Sequence, residues 1–305
     1  METVLDPNNP YFKQVQLLVS VLPLLQAHPV FALKGGTAIN LFIRNLPRLS
    51  VDIDLAYEPI NNRDQSMHDI QQNLNQLAQT LKNQGLKVQK NHDTQTTRLI
   101  VANQTSQIKI ETSPVLRGTV HPTITRPICQ EAEEQFGYAE LQTLSFEDLY
   151  AGKLCAALDR QHPRDLYDVK ALLENEGISN KLKDTFLVYL MSHPRPMNEL
   201  LNPNLQDISD IYRKEFENMT TQKVALSQLL NTRIQLVQTL QTMLTETDKS
   251  FLVSFKNRNP DWNLFAYPSV ANLPAIKWKL HNLAKMEAAA HKSAVDKLES
   301  LLKNI

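Results

Sequence analysis

The sequence contains little glycine and almost no cysteine. Its 305 residues include 7 glycines and 2 cysteines, Cys129 and Cys155. Neither cysteine lies in a metal-binding or redox spacing, so a structural zinc site and a disulfide framework are not expected. Two of the glycines, Gly35 and Gly36, are adjacent. Their pairing in such a glycine-poor chain indicates a point where the backbone needs unusual freedom.

Net charge and long apolar runs are also missing. Lysine plus arginine and aspartate plus glutamate both number 32, which argues against a protein that simply coats nucleic acid. The balance still allows a basic groove beside an acidic site. The polar N-terminus lacks the apolar segment of a secretion signal, and no run approaches the roughly 18 apolar residues that span a bilayer. We therefore expect a cytoplasmic protein without a membrane span.

Hydrophobic periodicity predicts two kinds of region. Strand patterns occur at residues 30–33, 49–55, 98–102 and 107–112, and the last two are expected to form a hairpin. Thr37 is expected to cap a helix over residues 38–45. Beyond about residue 180 the strand signals end and leucine-rich helical patterns continue. We predict an α+β fold, with a small mixed sheet and flanking helices in residues 1–200 and an all-helical domain in residues 201–305.

Two aspartates share one face of a predicted strand. Because side chains alternate along a strand, Asp52 and Asp54 point to one face, while Val51, Ile53 and Leu55 point to a core. Neighbouring carboxylates repel each other unless a cation lies between them. Magnesium prefers such oxygen ligands together with substrate phosphates. The pair therefore predicts a divalent metal site.

A second strand repeats this arrangement. Ile108 and Ile110 are expected to face the core, while Lys109 and Glu111 share the opposite face. If the two strands are neighbours, Glu111 adds a third carboxylate. Three carboxylates on two strands can hold two metal ions, which clamp both ends of a phosphoryl transfer. Glu111 could also accept the proton of an attacking hydroxyl group.

The same residues could instead form the solvated face of a half-exposed sheet, since short acidic motifs often match by chance. The glycine pair favours the functional interpretation. Gly35, Gly36 and Thr37 lie between a predicted strand and a predicted helix, where free backbone N–H groups favour a phosphate. A phosphate-binding turn followed by a carboxylate-bearing strand predicts a site for a nucleoside triphosphate and its metal.

Residues 33–38 and 48–55 strongly resemble motifs of the AbiEii toxins, which are polymerase-beta-like nucleotidyltransferases of bacterial toxin–antitoxin and abortive-infection systems. Residues 109–111 resemble the second motif of that family, and residues 272–280 resemble its C-terminal region. The resemblance thus extends over most of the chain. It implies a polymerase-beta-like nucleotidyltransferase core, a nucleoside triphosphate substrate and a two-metal magnesium site.

The resemblance also implies roles for individual residues. Nucleotide binding is implied for Gly35, Gly36, Thr37, Arg48, Ser50, Lys109 and Lys153. Metal binding is implied for Asp52, Asp54 and Glu111, and catalysis for these three together with Lys153 and Asp165.

Helical geometry draws separate attention to Lys153 and Asp165, because both fall on apolar stripes of predicted helices. The ordinary outcome for Lys153 is a side chain whose ammonium reaches water. The ordinary outcome for Asp165 is a helix cap or a salt bridge to Lys153 or Arg164. The resemblance favours a triphosphate contact for Lys153 and an active-site acid for Asp165. Asp168 lies at the margin of its stripe.

The implied activity is transfer of a nucleoside monophosphate to RNA, such as the 3′ end of a tRNA, which blocks translation until a cognate antitoxin protein neutralises the toxin. Two alternatives stay open: a nucleotidyltransferase that modifies a protein or a small molecule, and a non-catalytic module with this fold. A decayed module should have lost a metal-binding carboxylate, whereas Asp52, Asp54 and Glu111 are all present.

Basic residues surround a tryptophan near the C-terminus. Trp278 lies among Lys277, Lys279, His281 and Lys285. Basic and aromatic side chains together can grip RNA, and we predict that the helical domain selects the acceptor. The alternative is a solvated helix face around one buried tryptophan.

Overall fold

The computed structural model describes residues 9–92 and 97–305. The chain forms two compact units. The first comprises Met1–Leu149 and Arg213–Val224, and the second comprises Tyr150–Tyr212 and Ala225–Ile305. The division into domains 1–200 and 201–305 that the sequence suggests stays a prediction.

The first unit combines one sheet with several helices. Its strands are β1 Phe31–Lys34, β2 Asp52–Tyr57, β3 Lys87–His92, β4 Thr97–Ala102, β5 Gln107–Arg117, β6 Ile124–Pro127 and β7 Glu140–Thr143. Its helices are α1 Pro10–Val21, α2 Gly35–Ala38, α3 Arg63–Asn83 and α4 Gln130–Phe136. A 3-10 segment, Leu22–Ala27, follows α1, and a π-helical segment, Ile39–Ile43, continues α2.

The sheet has the order β3-β4-β5-β2-β1-β7-β6. It is mixed, because β2 pairs with β5 in parallel and with β1 in the antiparallel sense. The predicted alternation is confirmed in its two central strands: Ile53 and Leu55 are buried in β2, as are Ile108 and Ile110 in β5. The polar side chains between them are therefore left on the opposite face.

Several predicted elements are confirmed. Strands β4 and β5 form the expected antiparallel hairpin, and α3 ends before Gly85, whose φ is +83°. The helix that begins at Phe146 is capped, since the Ser145 hydroxyl accepts a hydrogen bond from the backbone N–H of Asp148 at 3.0 Å. Strands β3, β6 and β7 were not predicted, because their sequences are polar and lack apolar alternation.

The second unit is helical, as predicted. Its helices are α5 Phe146–Asp159, which begins in the first unit, α6 Pro163–Asn175, α7 Asn180–Ser192, α8 Met197–Leu201, α9 Ser209–Glu215, which ends in the first unit, α10 Leu226–Met243, α11 Glu246–Lys256, α12 Pro274–Ala284 and α13 Ala288–Lys303. Helix α10 contacts α6, and α12 contacts α7. Among the residues that the structure describes, no helix is both long and apolar enough to span a membrane.

A late segment of the chain returns to complete the first unit. The backbone N–H of Leu49 donates to the carbonyl oxygen of Met219 at 2.7 Å, and that of Thr221 donates to the carbonyl oxygen of Pro47 at 3.1 Å. Arg48 and Thr220 form an isolated antiparallel bridge between these bonds. Residues 219–221 therefore hold the backbone that leads into β2.

Candidate active site

The glycine pair lies where β1 turns into α2. Gly35 has a φ of +73°, which is in the left-handed region that glycine adopts without strain. A Cβ atom at this position would lie 2.5 Å from Oδ2 of Asp54. A Cβ atom at Gly36 would lie 2.7 Å from Nη2 of Arg48 and 3.0 Å from Oγ of Ser50. Both glycines thus allow polar side chains to approach the turn closely.

The predicted capping role of Thr37 is wrong. The helix begins earlier, at Gly35, and Thr37 lies inside it with its side chain buried. Its hydroxyl group donates to the carbonyl oxygen of Asp52 at 2.5 Å and lies 3.0 Å from the Ser50 hydroxyl. The left-handed φ of Gly35 permits this early start. Thr37 therefore ties the turn to the first residue of β2.

The register of β2 and β5 brings the predicted polar residues together. Asp52 lies opposite Lys109, and Asp54 lies opposite Glu111. Strand β2 begins at Asp52 rather than at residue 49 as predicted, because the preceding backbone pairs with residues 219–221 instead. The sheet thus presents three carboxylates and one ammonium group on two adjacent strands.

Arg98 is a member of this cluster that sequence reasoning missed. Its Nε lies 2.6 Å from Oε1 of Glu111, and the two residues face each other across the β4–β5 pair. The predicted hairpin loop already implies this pairing. A loop over residues 103–106 places Ala102 opposite Gln107, and hence Arg98 opposite Glu111.

The carboxylates suit a hard divalent cation in part. Asp52 and Asp54 are both half-buried on one strand face, and carboxylate oxygens are the ligands that magnesium prefers. Within residues 9–92 and 97–305, however, no three acidic, histidine or cysteine side chains are arranged to hold a metal ion. Glu111 is instead paired with Arg98. Asp52 and Asp54 share one strand face and are the carboxylates that would hold a cation there.

Arg48 and Ser50 lie beneath the glycine turn. Arg48 is 2% exposed, and its Nη1 donates to the carbonyl oxygen of Leu49 at 2.9 Å. Ser50 is also buried. Both side chains lie close to Gly36 or Thr37 and therefore pack against the turn.

Lys153 and Asp165 form a buried ion cluster in the second unit. Nζ of Lys153 lies 2.8 Å from Asp165 and 3.0 Å from Asp168. Arg160 donates to both oxygens of Asp165, at 2.5 and 3.0 Å. Burial raises the pKa of Asp165, but Lys153 and Arg160 outweigh burial and hold that pKa well below its usual range.

The cluster decides between the two structural alternatives for Asp165, a helix cap and a salt bridge. The salt bridge between Lys153 and Asp165 is confirmed, whereas the cap of α6 is His162 rather than Asp165. Asp168, placed at the margin of its stripe, is only 1% exposed and is the second partner of Lys153. Arg160 was missed, although it lies five residues before Asp165 with only the turn before α6 between them.

The alternative of a buried tryptophan near the C-terminus is wrong. Trp278 in α12 is 52% exposed, and its ring stacks on that of His281 with centroids 5.6 Å apart. Lys277 and Lys285 are exposed as well. Nζ of Lys279, by contrast, donates to the carbonyl oxygens of His193 at 2.5 Å and Pro194 at 3.2 Å.

Comparisons with known proteins place this arrangement in a family. Residues 16–280 match the family model of the nucleotidyl transferase AbiEii toxin of type IV toxin–antitoxin systems. The fold is similar to that of MenT4, a nucleotidyltransferase toxin from Mycobacterium tuberculosis, with a TM-score of 0.59 and 13% sequence identity. That similarity covers 95% of this chain and 93% of the other. No curated protein sequence matches the chain. The protein belongs to the AbiEii nucleotidyltransferase toxins of type IV toxin–antitoxin systems.

Proposed function

We propose that the protein transfers a nucleoside monophosphate from a nucleoside triphosphate to the 3′ end of an RNA. The proposed acceptor is a tRNA, because modification of its 3′ end would block translation. It acts in the cytoplasm, where a cognate antitoxin neutralises it. The observation that carries this proposal is the contact between the glycine turn and β2, where Gly35 leaves room for Asp54 and Thr37 bonds to Asp52. The turn that would bind phosphates is therefore in contact with the strand that carries the carboxylates.

Asp52 and Asp54 would hold the divalent cation, which when bound supplies positive charge to the phosphate oxygens. The turn at Gly35 and Gly36, which carries no side chain of its own, would receive the triphosphate through its backbone N–H groups. Lys109, opposite Asp52 in the sheet, adds a cationic group on the same strands.

Group transfer then needs an attacking oxygen and a place for its proton. The acceptor hydroxyl oxygen forms a bond to the α-phosphorus while the bond from that phosphorus to the β-phosphate oxygen breaks, and pyrophosphate leaves. Glu111, beside Asp54 in the register, takes the hydroxyl proton. The Arg98 contact orients the Glu111 carboxylate for this role.

Lys153 and Asp165 have a more constrained role in this proposal. Lys153 is 6% exposed and already contacts two carboxylates. Two carboxylates engage two of the three N–H donors of this ammonium group, so triphosphate binding by Lys153 stays a prediction from the resemblance. Asp165, which has the shorter contact, holds the Lys153 side chain in place.

Label transfer tests the proposed function. The full chain is incubated with Mg²⁺, total cellular RNA and each nucleoside triphosphate in turn, labelled on the α-phosphate or the γ-phosphate. We expect RNA to acquire α-label and no γ-label. Asp54→Asn should abolish the transfer, while Asp64→Asn, which changes an exposed aspartate in α3, should not. Label on a protein or on a small molecule would show that this molecule, and not RNA, is the acceptor. No label transfer with any nucleotide would indicate a non-catalytic module.

A further inference from the structure

Helix α12 presents an aromatic face to solvent. Trp278 is 52% exposed, although tryptophan carries a large apolar surface that folding usually buries. His281, Asn282 and Lys285 follow at spacings of three, four and seven residues, which place them on the same side of the helix, and all three are exposed. The buried side carries Ala275, Ile276 and Leu283. The exposed side therefore has no part in packing the second unit.

The two rings on this face are already arranged for stacking. The Trp278 and His281 rings lie 5.6 Å apart at an interplanar angle of 28°. Two nearly parallel rings offer a flat surface at little further cost in side-chain entropy. Such a surface suits a planar heterocycle.

The charged side chains of α12 itself have one sign. Helix α12 carries Lys277, Lys279 and His281 and no acidic residue, and Lys285 follows at its C-terminal end. Lys277 and Lys285 are exposed. A positively charged surface around an exposed aromatic pair matches a single-stranded nucleic acid, which has both anionic phosphates and unstacked bases.

Lys279 has a different task from its neighbours. Its Nζ donates to carbonyl oxygens of His193 and Pro194, just beyond the end of α7. Burial, the larger cause, and nearby Lys256 together lower the pKa of Lys279 to about 8. Lys279 therefore anchors α12 to α7, so that the ring pair sits on a fixed support.

We propose that Trp278 and His281 form a stacking platform for an unpaired base of the RNA acceptor, with Lys277 and Lys285 contacting its phosphates. The inference rests on the proposed function, because it assigns the surface that receives the acceptor. The platform recognises single-stranded RNA through stacking and charge, and reads no base sequence.

Binding of a short labelled single-stranded RNA, followed by fluorescence anisotropy without nucleotide or metal, tests the platform. Trp278→Ala should weaken binding about tenfold or more, the range that loss of one stacked base produces. Trp278→Phe should retain most of the affinity, because an aromatic face remains. Tyr138→Ala is the matched control, since Tyr138 is 57% exposed and lies in the first unit. It should leave binding unchanged.

The salt dependence of binding tests the lysines. Lys277→Gln and Lys285→Gln should each flatten the slope of log affinity against log salt by about 0.7, the value for one phosphate contact on a single strand. Lys292→Gln, at an exposed position of α13, should not. Melting temperatures should be the same for all variants, because none of these side chains is buried.

Unchanged RNA affinity in Trp278→Ala would overturn the platform, and so would an equal loss of affinity in Tyr138→Ala. The first result is also the one expected if this face binds an acidic protein instead of RNA. The proposed function fails separately. If the chain binds RNA through Trp278 but transfers no nucleotide, the platform stands and the transferase assignment falls. If Trp278→Ala transfers nucleotide to RNA with an unchanged KM for RNA, the platform alone falls.

Discussion

A methyl group on Gly35 would stand 2.5 Å from a carboxylate oxygen of Asp54. Real Cβ atoms do not approach a neighbour so closely, so Gly35→Ala must displace Asp54. We expect this variant to lose nearly all transfer activity, in addition to about 1–2 kcal/mol of stability from an alanine in the left-handed region. Urea unfolding and the label-transfer assay measure the two effects.

Gly85→Ala separates backbone strain from displacement of the carboxylate. Gly85 has a φ of +83°, similar to that of Gly35, but a Cβ there would meet nothing within 4 Å. Gly85→Ala should therefore lose only the cost of the left-handed conformation, about 1–2 kcal/mol of stability, and keep its activity. Equal activity in both would mean that Asp54 does not need its present position.

Asp52→Asn and Asp54→Asn should each abolish nucleotide transfer without unfolding the protein. Both aspartates are half-buried on one strand face, and removal of one charge relieves repulsion in the metal-free chain. We expect melting temperatures equal to or slightly above that of the wild type. Near wild-type transfer in either variant would remove that aspartate from the metal site.

Thr37→Val should weaken both stability and activity. The substitution keeps the shape of the side chain but removes the hydroxyl that donates to the carbonyl oxygen of Asp52. Thr37 is 1% exposed, so the loss should be about 1–3 kcal/mol, and a looser Asp52 should lower kcat. Thr37→Ser restores the donor and should recover most of the activity. A valine variant as stable and as active as the wild type would contradict the role of this hydrogen bond.

Lys153→Met should destabilise the fold by about 3–5 kcal/mol, because it leaves Asp165 and Asp168 buried without their ammonium partner. Adding Asp165→Asn and Asp168→Asn to Lys153→Met removes those charges and should restore much of the stability. Transfer activity should stay absent if Lys153 contacts the triphosphate. Its return in the stable triple variant would give Lys153 a structural role alone.

The buried ion cluster around Asp165 also predicts how the free energy of unfolding changes with pH. Asp165 has a folded-state pKa below its unfolded value of about 4. Its ion pairs therefore contribute stability that is complete above about pH 4 and is lost as the pH falls towards the folded-state pKa. Urea unfolding at several pH values should show Asp165→Asn less stable than the wild type at neutral pH, with the difference narrowing below about pH 4. A constant difference would contradict the assignment.

The central strands could be predicted because their alternation is strict. Isoleucine and leucine at every second position settle which face is buried, and the length of the hairpin loop settles the β4–β5 register. Strands β3, β6 and β7 have no such pattern, because β3 and β6 are edge strands and the pairing of all three depends on their neighbours.

Helical periodicity predicts which residues share a face but not what that face contacts. It placed Lys153 on an apolar stripe correctly, yet the two carboxylates around it depend on how α5 and α6 pack. It likewise grouped Trp278 with its basic neighbours, but the exposure of the ring follows from which side of α12 meets α7.

The return of residues 219–221 to the first unit has a consequence for the order of synthesis. A ribosome makes the chain from its N-terminus, so the backbone before β2 lacks its hydrogen-bond partners until these residues emerge. A chain that stops earlier carries Asp52 and Asp54 on a strand whose entry is unsupported. We expect prematurely terminated products to be inactive, which confines the activity of a toxin to molecules whose translation is more than two-thirds complete.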